Sequence, residues 1–312
     1  MSPPAGRDSP GGGAAGSGPA AVSRVAGSLP RLTGRTRVFG IIGQPVSHSI
    51  SPIIQNAAFR VLGLDAVYVP FPIAPERLAE ALPGLAAAGV QGLNVTLPHK
   101  QTVIPLCAAL TAEARAIGAV NTLRATPEGW LATNTDGTGF IVSLAEELGW
   151  APGGKHALML GAGGAARAVG WHLLKGGLTR LTIANRSRER AESLARQLRG
   201  DPGGTVDVAP LDALAGLAPG LLVNTTSVGM HDGRSPVELA RIGVREALID
   251  IVYAPPVTPL LEQAAALGLP HTNGMGMLLY QGAAAFRFFT GEEPPVAAMR
   301  AALEAELAAR AK

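Results

Sequence analysis

A glycine-rich turn between a short apolar run and an alanine-rich segment is the feature that most restricts the fold of this chain. Residues 158–166 read Leu-Met-Leu-Gly-Ala-Gly-Gly-Ala-Ala. Gly161 permits a tight turn, Gly163 lets the backbone approach a pyrophosphate, and Ala166 allows a helix to pack closely on a strand. The start of a helix also favours an anion. The residues predicted to line a dinucleotide here are Gly161, Ala162, Gly163, Gly164 and Ala165.

The same alternation of strand and helix is predicted for the rest of the chain from residue 37 onward. Short β-branched runs alternate with periodic segments rich in Ala and Leu, which is typical of βαβ units. Strands are predicted over 37–42, 67–71, 92–96, 119–124, 129–133, 156–160, 180–185, 206–209, 220–224 and 247–251. Helices are predicted over 52–62, 75–88, 98–109, 136–148, 164–175, 188–199, 259–267, 275–290 and 296–309. The fold class is therefore α/β, and the length favours two domains.

The residues after the second strand of the βαβ unit indicate which cofactor is preferred. Asn185 and Arg186 stand where an NAD-dependent enzyme places Asp or Glu to hold the ribose 2′-hydroxyl. A carboxylate would repel a 2′-phosphate, whereas a guanidinium pairs with it through charge-assisted hydrogen bonds. The sequence therefore predicts NADP(H), with Ser187 and Arg190 also at the cofactor. Arg188 is explained equally well as solvent-facing cover for the helix start.

The first 36 residues differ in composition from the rest and are predicted to be a disordered, low-complexity tail. They contain 8 Gly and 5 Pro, and their four Arg against one Asp account for the whole net charge of +3. The remaining chain has no charge excess, so a nucleic-acid-binding face is not predicted. No apolar run is long enough to span a membrane, and no His/Cys cluster indicates a metal. A single cysteine, Cys107, weakly favours a reducing compartment, so a cytoplasmic location is expected.

A nicotinamide enzyme needs a proton donor beside the carbonyl that it reduces. None of the three tyrosines is followed four residues later by Lys, so a Tyr-x-x-x-Lys pair is absent. The chain has only four Lys against 22 Arg. Because an ammonium exchanges protons more readily than a guanidinium, Lys100 at the end of residues 94–100 is a candidate donor. Taken by itself, this lysine also fits an ordinary surface residue.

Several separated motifs resemble those of the shikimate dehydrogenase family, over nearly all of residues 37–312. The motifs are Gly43-Gln-Pro-Val-Ser-His-Ser-Ile-Ser-Pro52, Asn94-Val-Thr-Leu-Pro-His-Lys100, Gly118-Ala-Val-Asn-Thr122, Asn134-Thr-Asp-Gly137, Asn224-Thr-Thr-Ser-Val-Gly-Met230, Asp250-Ile-Val-Tyr253 and Asn273-Gly-Met-Gly-Met-Leu-Leu-Tyr-Gln281. Their joint presence in this order is far more specific than any one of them.

The resemblance implies a reversible, NADPH-dependent reduction of 3-dehydroshikimate to shikimate, a step of chorismate and aromatic amino-acid biosynthesis. It assigns Lys100 as proton donor and acceptor and Asp136 as the group that orients it. The substrate-binding residues that it implies are Ser49, Ser51, Asn94, Thr96, Asn121, Tyr253 and Gln281. Further cofactor-lining residues are Thr225, Ile251 and Gly274. Ser51 and Asp136 also fit a second interpretation, as N-caps of the helices that they precede.

The resemblance also implies a domain organisation. Residues 37–136 and 274–312 are expected to form the N-terminal α/β substrate domain, and residues 137–273 the Rossmann NADP-binding domain. The C-terminal helices return to the first domain. The partner expected is a small-molecule substrate, and a homodimer is left open.

Two departures and three alternative functions stand beside this interpretation. Gln55 stands where many relatives have His, and His99 stands where Phe is frequent. The nearest alternative is a quinate/shikimate dehydrogenase. The presence of Ser51 and of the Asn185-Arg186 pair argues against it. A methylenetetrahydrofolate dehydrogenase lacks support without Tyr-x-x-x-Lys. A non-catalytic NADP sensor would not need the pair of Lys100 and Asp136, and this chain has both residues.

Overall fold

The computed structural model describes residues 1–2, 32–200 and 203–310. From Leu32 onward the described chain forms one compact unit that contains two six-stranded sheets flanked by helices. The elements of the first half are β1 (Arg37–Gly43), α1 (Ser51–Val61), β2 (Ala66–Pro72), α2 (Leu78–Ala87), β3 (Val90–Val95), β4 (Ala109–Leu110), α3 (Ala112–Ile117), β5 (Thr122–Thr126) and β6 (Gly129–Thr133).

The first sheet has the strand order β2-β1-β3-β5-β6-β4. Strand β1 is parallel to β2 and β3, whereas β5 is antiparallel to both β3 and β6. The carboxyl ends of β1, β3 and β6 therefore meet the amino end of β5 at one edge of the sheet. This edge gathers residues that are far apart in the sequence.

The second sheet is parallel throughout and has the order β12-β11-β10-β7-β8-β9. Its elements and connecting helices are α4 (Asp136–Leu148), β7 (His156–Leu160), α5 (Gly164–Lys175), β8 (Arg180–Ala184), α6 (Arg188–Leu198), β9 (Thr205–Val208), β10 (Leu221–Asn224), α7 (Leu239–Ile242), β11 (Ala247–Asp250), α8 (Pro259–Ala266) and β12 (His271–Asn273). The strand order reverses at β7, which has β8 on one side and β10 on the other. Ligands of such sheets bind outside the carboxyl ends of the strands at this reversal.

Two C-terminal helices, α9 (Met275–Thr290) and α10 (Val296–Arg310), return to the first sheet. Helix α9 packs on β3 and β5, and α10 packs on α1 and α9. Phe286 and Phe289 of α9 join Phe39 and Phe59 in one buried cluster, and the rings of Phe39 and Phe289 lie 5.0 Å apart. Gly139 lets α4 and α9 approach closely, because a Cβ there would lie 2.4 Å from the backbone nitrogen of Gln281. The α/β class and the return of the C-terminal helices to the first sheet are confirmed.

The predicted helix over 98–109 is wrong. Residues 98–103 form turns, a short 3₁₀ segment covers Ile104–Leu106, and β4 begins at Ala109. Pro105 lies inside the predicted helix and lacks the N–H that a helix interior requires. Four short elements, β4, α3, α7 and β12, were not predicted. Most other helices and strands begin and end within two residues of their predicted bounds.

The boundary of the predicted tail also needs correction. Its residues 3–31 lie outside the described residues, so that part stays a prediction. Thr33 and Thr36 belong to the folded part, because their hydroxyls donate to the carboxylate of Asp65, at 3.1 Å and 2.6 Å.

Candidate active site

A cavity of about 260 Å³, here called the edge cavity, lies at the strand edge of the first sheet. All nine residues predicted as catalytic or substrate-binding line it: Ser49, Ser51, Asn94, Thr96, Lys100, Asn121, Asp136, Tyr253 and Gln281. Three residues predicted to line the cofactor reach the same cavity, namely Ala165, Ile251 and Gly274. The edge cavity therefore joins groups from the ends of both sheets.

Lys100 and Asp136 form an ion pair in the wall of the edge cavity. The ammonium nitrogen of Lys100 lies 2.5 Å from Oδ2 of Asp136, and their side chains are 17% and 7% exposed. The second carboxylate oxygen of Asp136, Oδ1, accepts from the amide nitrogen of Asn121 at 2.8 Å. No hydrogen bond of the Asp136 side chain caps α4. Because both oxygens are engaged at the cavity, the N-cap interpretation of Asp136 is wrong.

The Asn121 amide is held in one orientation by two residues that the sequence reasoning missed. Its oxygen accepts from the backbone N–H of Thr135 at 2.7 Å and from the Thr122 hydroxyl at 2.9 Å. Both are donors, so the amide oxygen points toward them and the amide nitrogen toward Asp136. The family-like motif around residue 118 contains Thr122, but only the strand pairing shows which way its hydroxyl faces.

Asn94 is fixed in a similar way from the opposite side. The buried Tyr68 hydroxyl donates to Oδ1 of Asn94 at 2.7 Å, and the Asn94 amide nitrogen donates to the Thr122 hydroxyl at 3.2 Å. Burial raises the pKa of Tyr68 well above its ordinary value, which keeps the hydroxyl protonated as a donor. Tyr68 was not predicted and acts from behind the cavity wall.

Ser49 and Ser51 lie on the connection between β1 and α1. The Ser49 hydroxyl accepts from the backbone N–H of Ser51 at 3.2 Å. Helix α1 begins at Ser51, and no side chain caps its start, so the expected N-cap role of Ser51 is wrong. The Ser51 hydroxyl is thus available to the edge cavity.

The predicted glycine-rich turn connects β7 to α5. Gly161 has a φ of +109°, and a Cβ there would lie 2.4 Å from the Thr225 hydroxyl. A Cβ on Gly163 would meet nothing within 4 Å, and no side chain caps the start of α5. The backbone is therefore open where a pyrophosphate is expected, with unpaired helix-terminal N–H groups beside it. These residues fit a dinucleotide.

A second cavity of about 390 Å³, here called the loop cavity, lies beside the ends of β8 and β10. Asn185 and Arg186 line it, as expected for residues that hold a 2′-phosphate. Ser187 instead caps α6 by accepting from the backbone N–H of Arg190 at 3.4 Å, and neither residue is in the lining. Arg234 also lines this cavity and was not predicted, although the loop after β10 opens at the same sheet edge.

The two departures from the family pattern are both buried. Gln55 donates from its amide nitrogen to the backbone oxygen of Gly282 at 2.9 Å, next to Gln281. A ring nitrogen of His99, Nε2, lies 2.7 Å from the backbone oxygen of Ile73, so this imidazole is engaged away from Lys100. Neither residue lines the edge cavity.

The described residues contain neither a metal-binding cluster nor a helix suited to cross a membrane. Within residues 1–2, 32–200 and 203–310, His, Cys, Asp and Glu nowhere form a group of three or more that suits a metal ion. In the same part of the chain, no helix combines the length and apolar character needed to cross a bilayer.

Comparison with known proteins gives one consistent family. Three family models match: "Shikimate dehydrogenase substrate binding domain" over residues 41–123, "Shikimate / quinate 5-dehydrogenase" over 143–263, and "Shikimate 5'-dehydrogenase C-terminal domain" over 274–304. Shikimate dehydrogenase (NADP(+)) of Geobacter metallireducens is 50% identical over 275 residues, which cover 86% of this chain and 96% of that protein.

Solved structures agree in fold. A shikimate dehydrogenase in complex with NADP+ has a TM-score of 0.84 and 38% identity, and the match covers 90% of this chain and 99% of that one. The shikimate 5-dehydrogenase of Thermus thermophilus, in complex with NADP(H) and shikimate, has a TM-score of 0.78 and 36% identity, covering 86% and 99% of the two chains.

Proposed function

Because this chain belongs to the shikimate dehydrogenase family, we propose that it catalyses the reversible, NADPH-dependent reduction of 3-dehydroshikimate to shikimate. The observation that carries the proposal is the Lys100 and Asp136 pair in the wall of the edge cavity, among neutral polar groups. The product belongs to chorismate and aromatic amino-acid biosynthesis.

Lys100 transfers the proton in this reaction. When bound, NADPH supplies the hydride to the carbonyl carbon of the substrate. As negative charge grows on the carbonyl oxygen, the Lys100 ammonium stabilises it and donates a proton, and the C–O bond becomes single. In the reverse direction the amine takes the proton from the hydroxyl. One ammonium hydrogen is committed to Asp136, which leaves the other two for the cavity.

The remaining polar residues of the edge cavity bind the substrate. Small neutral groups suit a polyol, because each hydroxyl both donates and accepts. We assign the carboxylate to Ser49 and Ser51. The ring hydroxyls are assigned to Thr96, Asn121, Asp136 and Gln281, with Asn94 and Tyr253 beside them.

The turn between β7 and α5 holds the pyrophosphate, and the Arg186 guanidinium pairs with the 2′-phosphate. Exposure of Arg186 in the loop cavity and the absence of an acidic residue immediately after β8 support NADP(H) over NAD(H). Residues 37–136 with 274–312 form the substrate domain in this proposal, and residues 137–273 the Rossmann domain. A cytoplasmic location and a homodimer remain proposals, the first supported by the single cysteine.

The test follows NADPH formation by absorbance, with shikimate or quinate and with NADP or NAD. We expect activity with shikimate and NADP, and Lys100→Ala to lower kcat by at least about 100-fold. Lys155→Ala is the matched control, because Lys155 is also paired with a carboxylate, Glu246 at 2.7 Å, outside both cavities. Comparable rates with quinate and NAD contradict the substrate and cofactor assignment. If no combination of substrate and cofactor gives turnover, the result favours a non-catalytic NADP sensor.

A further inference from the structure

The edge cavity offers little positive charge to an anionic substrate. Among its described lining residues, Lys100 is the sole Lys or Arg, and its ammonium is paired with Asp136. Ser49 and Ser51 contribute neutral hydroxyls. A substrate carboxylate that exchanges its hydration water for neutral hydroxyls pays a desolvation cost. A positive charge near the cavity, even outside its lining, would offset part of that cost.

Arg310, in the last turn of α10, lies behind the loop that connects β1 to α1. Its guanidinium nitrogen Nη1 donates to the backbone oxygen of His48 at 2.7 Å. Its Nε donates to Oε1 of Glu306 at 2.7 Å, one helical turn earlier. The two bonds hold the guanidinium in one position, although the side chain is 40% exposed.

The contact with His48 fixes the peptide that leads directly into Ser49. The backbone N–H of Ser49 is held by the oxygen of Val46 at 3.1 Å, and the Ser49 hydroxyl accepts from the N–H of Ser51. With Arg310 on the His48 oxygen, both polar atoms of the His48–Ser49 peptide are engaged. The direction of the Ser49 side chain is set by this arrangement.

The charge of Arg310 also reaches the wall of the edge cavity. Burial raises the pKa of the Tyr253 hydroxyl, and the positive charge of Arg310 acts in the opposite direction. Tyr253 lines the cavity together with His48 and Ser49. The guanidinium lies 2.7 Å from the backbone oxygen of His48, a residue that lines this part of the cavity.

We propose that Arg310 is a positioning residue for the substrate carboxylate: it fixes the Ser49 loop through the His48 oxygen, and its guanidinium, whose charge is partly compensated by Glu306, adds positive charge outside the cavity lining. The inference rests on the proposed function. It adds a residue from the end of α10 to a site built by the loop after β1, and it makes α10 part of substrate recognition.

The test compares Arg310→Ala, Arg310→Lys and the wild type by steady-state kinetics with shikimate and with its methyl ester. For Arg310→Ala we expect the KM for shikimate to rise about three- to fivefold, kcat to stay within about twofold, and the KM for NADP to be unchanged. With the uncharged ester, the KM of Arg310→Ala should differ from that of the wild type by less than about 1.5-fold. High salt should narrow the difference measured with shikimate.

Arg310→Lys keeps the charge and one donor, so it should recover a large part of the loss in KM. Arg241→Ala is the matched control. Arg241 of α7 pairs with Glu238, the residue directly before that helix, and lies outside both cavities. Calorimetric titration with shikimate should show the same weakening for Arg310→Ala without turnover. Thermal unfolding checks that the variants are folded.

Two results overturn the inference: an unchanged KM in Arg310→Ala, or an equal rise with shikimate and with the ester. Failure of the proposed function is separate from both, because the wild type itself would then show no turnover with shikimate and NADP.

Discussion

Two threonine residues decide which way the Asn121 amide points. Thr122 lies directly opposite Asn94 in the pairing of β3 with β5, so its hydroxyl accepts from Asn94 and donates to Asn121. The backbone N–H of Thr135 holds the same amide oxygen. One buried hydroxyl, that of Thr122, therefore helps to orient both asparagine side chains of the edge cavity.

We expect Thr122→Val to lower kcat/KM for shikimate by about tenfold, because it removes one buried hydrogen bond from each of two amides and leaves both less firmly oriented. The KM for NADP should not change. Thr182→Val is the control: it also removes a buried hydroxyl, which lies 2.9 Å from the imidazole of His156 in the second sheet. An equal loss of kcat/KM in the control variant would mean that the effect is merely one of stability.

The sequence motifs were sufficient to predict the residues that face the edge cavity, but they were insufficient to predict the residues behind them. Lys100, Asp136 and Asn121 stand in motifs with a chemical role. Tyr68 and Thr122 act through strand register, which follows from long-range pairing that a motif does not contain. The role of Arg310 was harder still to predict from the sequence, because its contact with His48 depends on how α10 packs.

The turn between β7 and α5 is the element whose geometry depends most on glycine. Gly161→Ala places a Cβ 2.4 Å from the Thr225 hydroxyl at a φ of +109°. We expect the KM for NADP to rise at least about tenfold, because the turn must shift away from the expected position of the pyrophosphate. Fluorescence titration with NADPH measures the same loss directly.

Gly153→Ala is the matched control for this element. A Cβ at Gly153 meets nothing within 4 Å, and this glycine also lies in a loop of the second half. Its affinity for NADPH should equal that of the wild type. A similar loss in both variants would contradict the role given to Gly161.

Elements with local signals were predicted most accurately. The predicted bounds of α4, β7, α5 and α9 match the structure, because glycines and periodic apolar residues mark their ends. The helix predicted over 98–109 is wrong because Pro105, which a helix interior does not accommodate, was passed over. Four-residue α7 and three-residue β12 are too short to show a period.

For the molecule as a whole, Asp250 makes the free energy of unfolding depend on pH. Its carboxylate is buried at the end of β11, where it accepts from Thr258, Asn224 and the backbone of Val252. Burial raises its pKa above the ordinary value despite these bonds. The folded protein therefore holds this proton to higher pH than the unfolded chain does.

The sign of the effect follows from that difference. As pH rises from the ordinary pKa of a carboxyl group to the raised one, the free energy of unfolding falls. It falls by about 1.4 kcal/mol for each unit that separates the two pKa values. Asp250→Asn should lack this fall, as measured by urea unfolding between pH 4 and pH 7. Parallel pH profiles for the two proteins would contradict the assignment.

The return of α9 and α10 to the first sheet has a consequence for the order in which the protein is made. The second sheet is built from one continuous stretch, residues 156–273, and can form before the last two helices have been synthesised. The edge cavity draws on Ser49 near one end of the described chain and Gln281 near the other. All strands of the second sheet are therefore synthesised before α9, and the edge cavity lacks part of its lining until Gln281 of α9 has been synthesised.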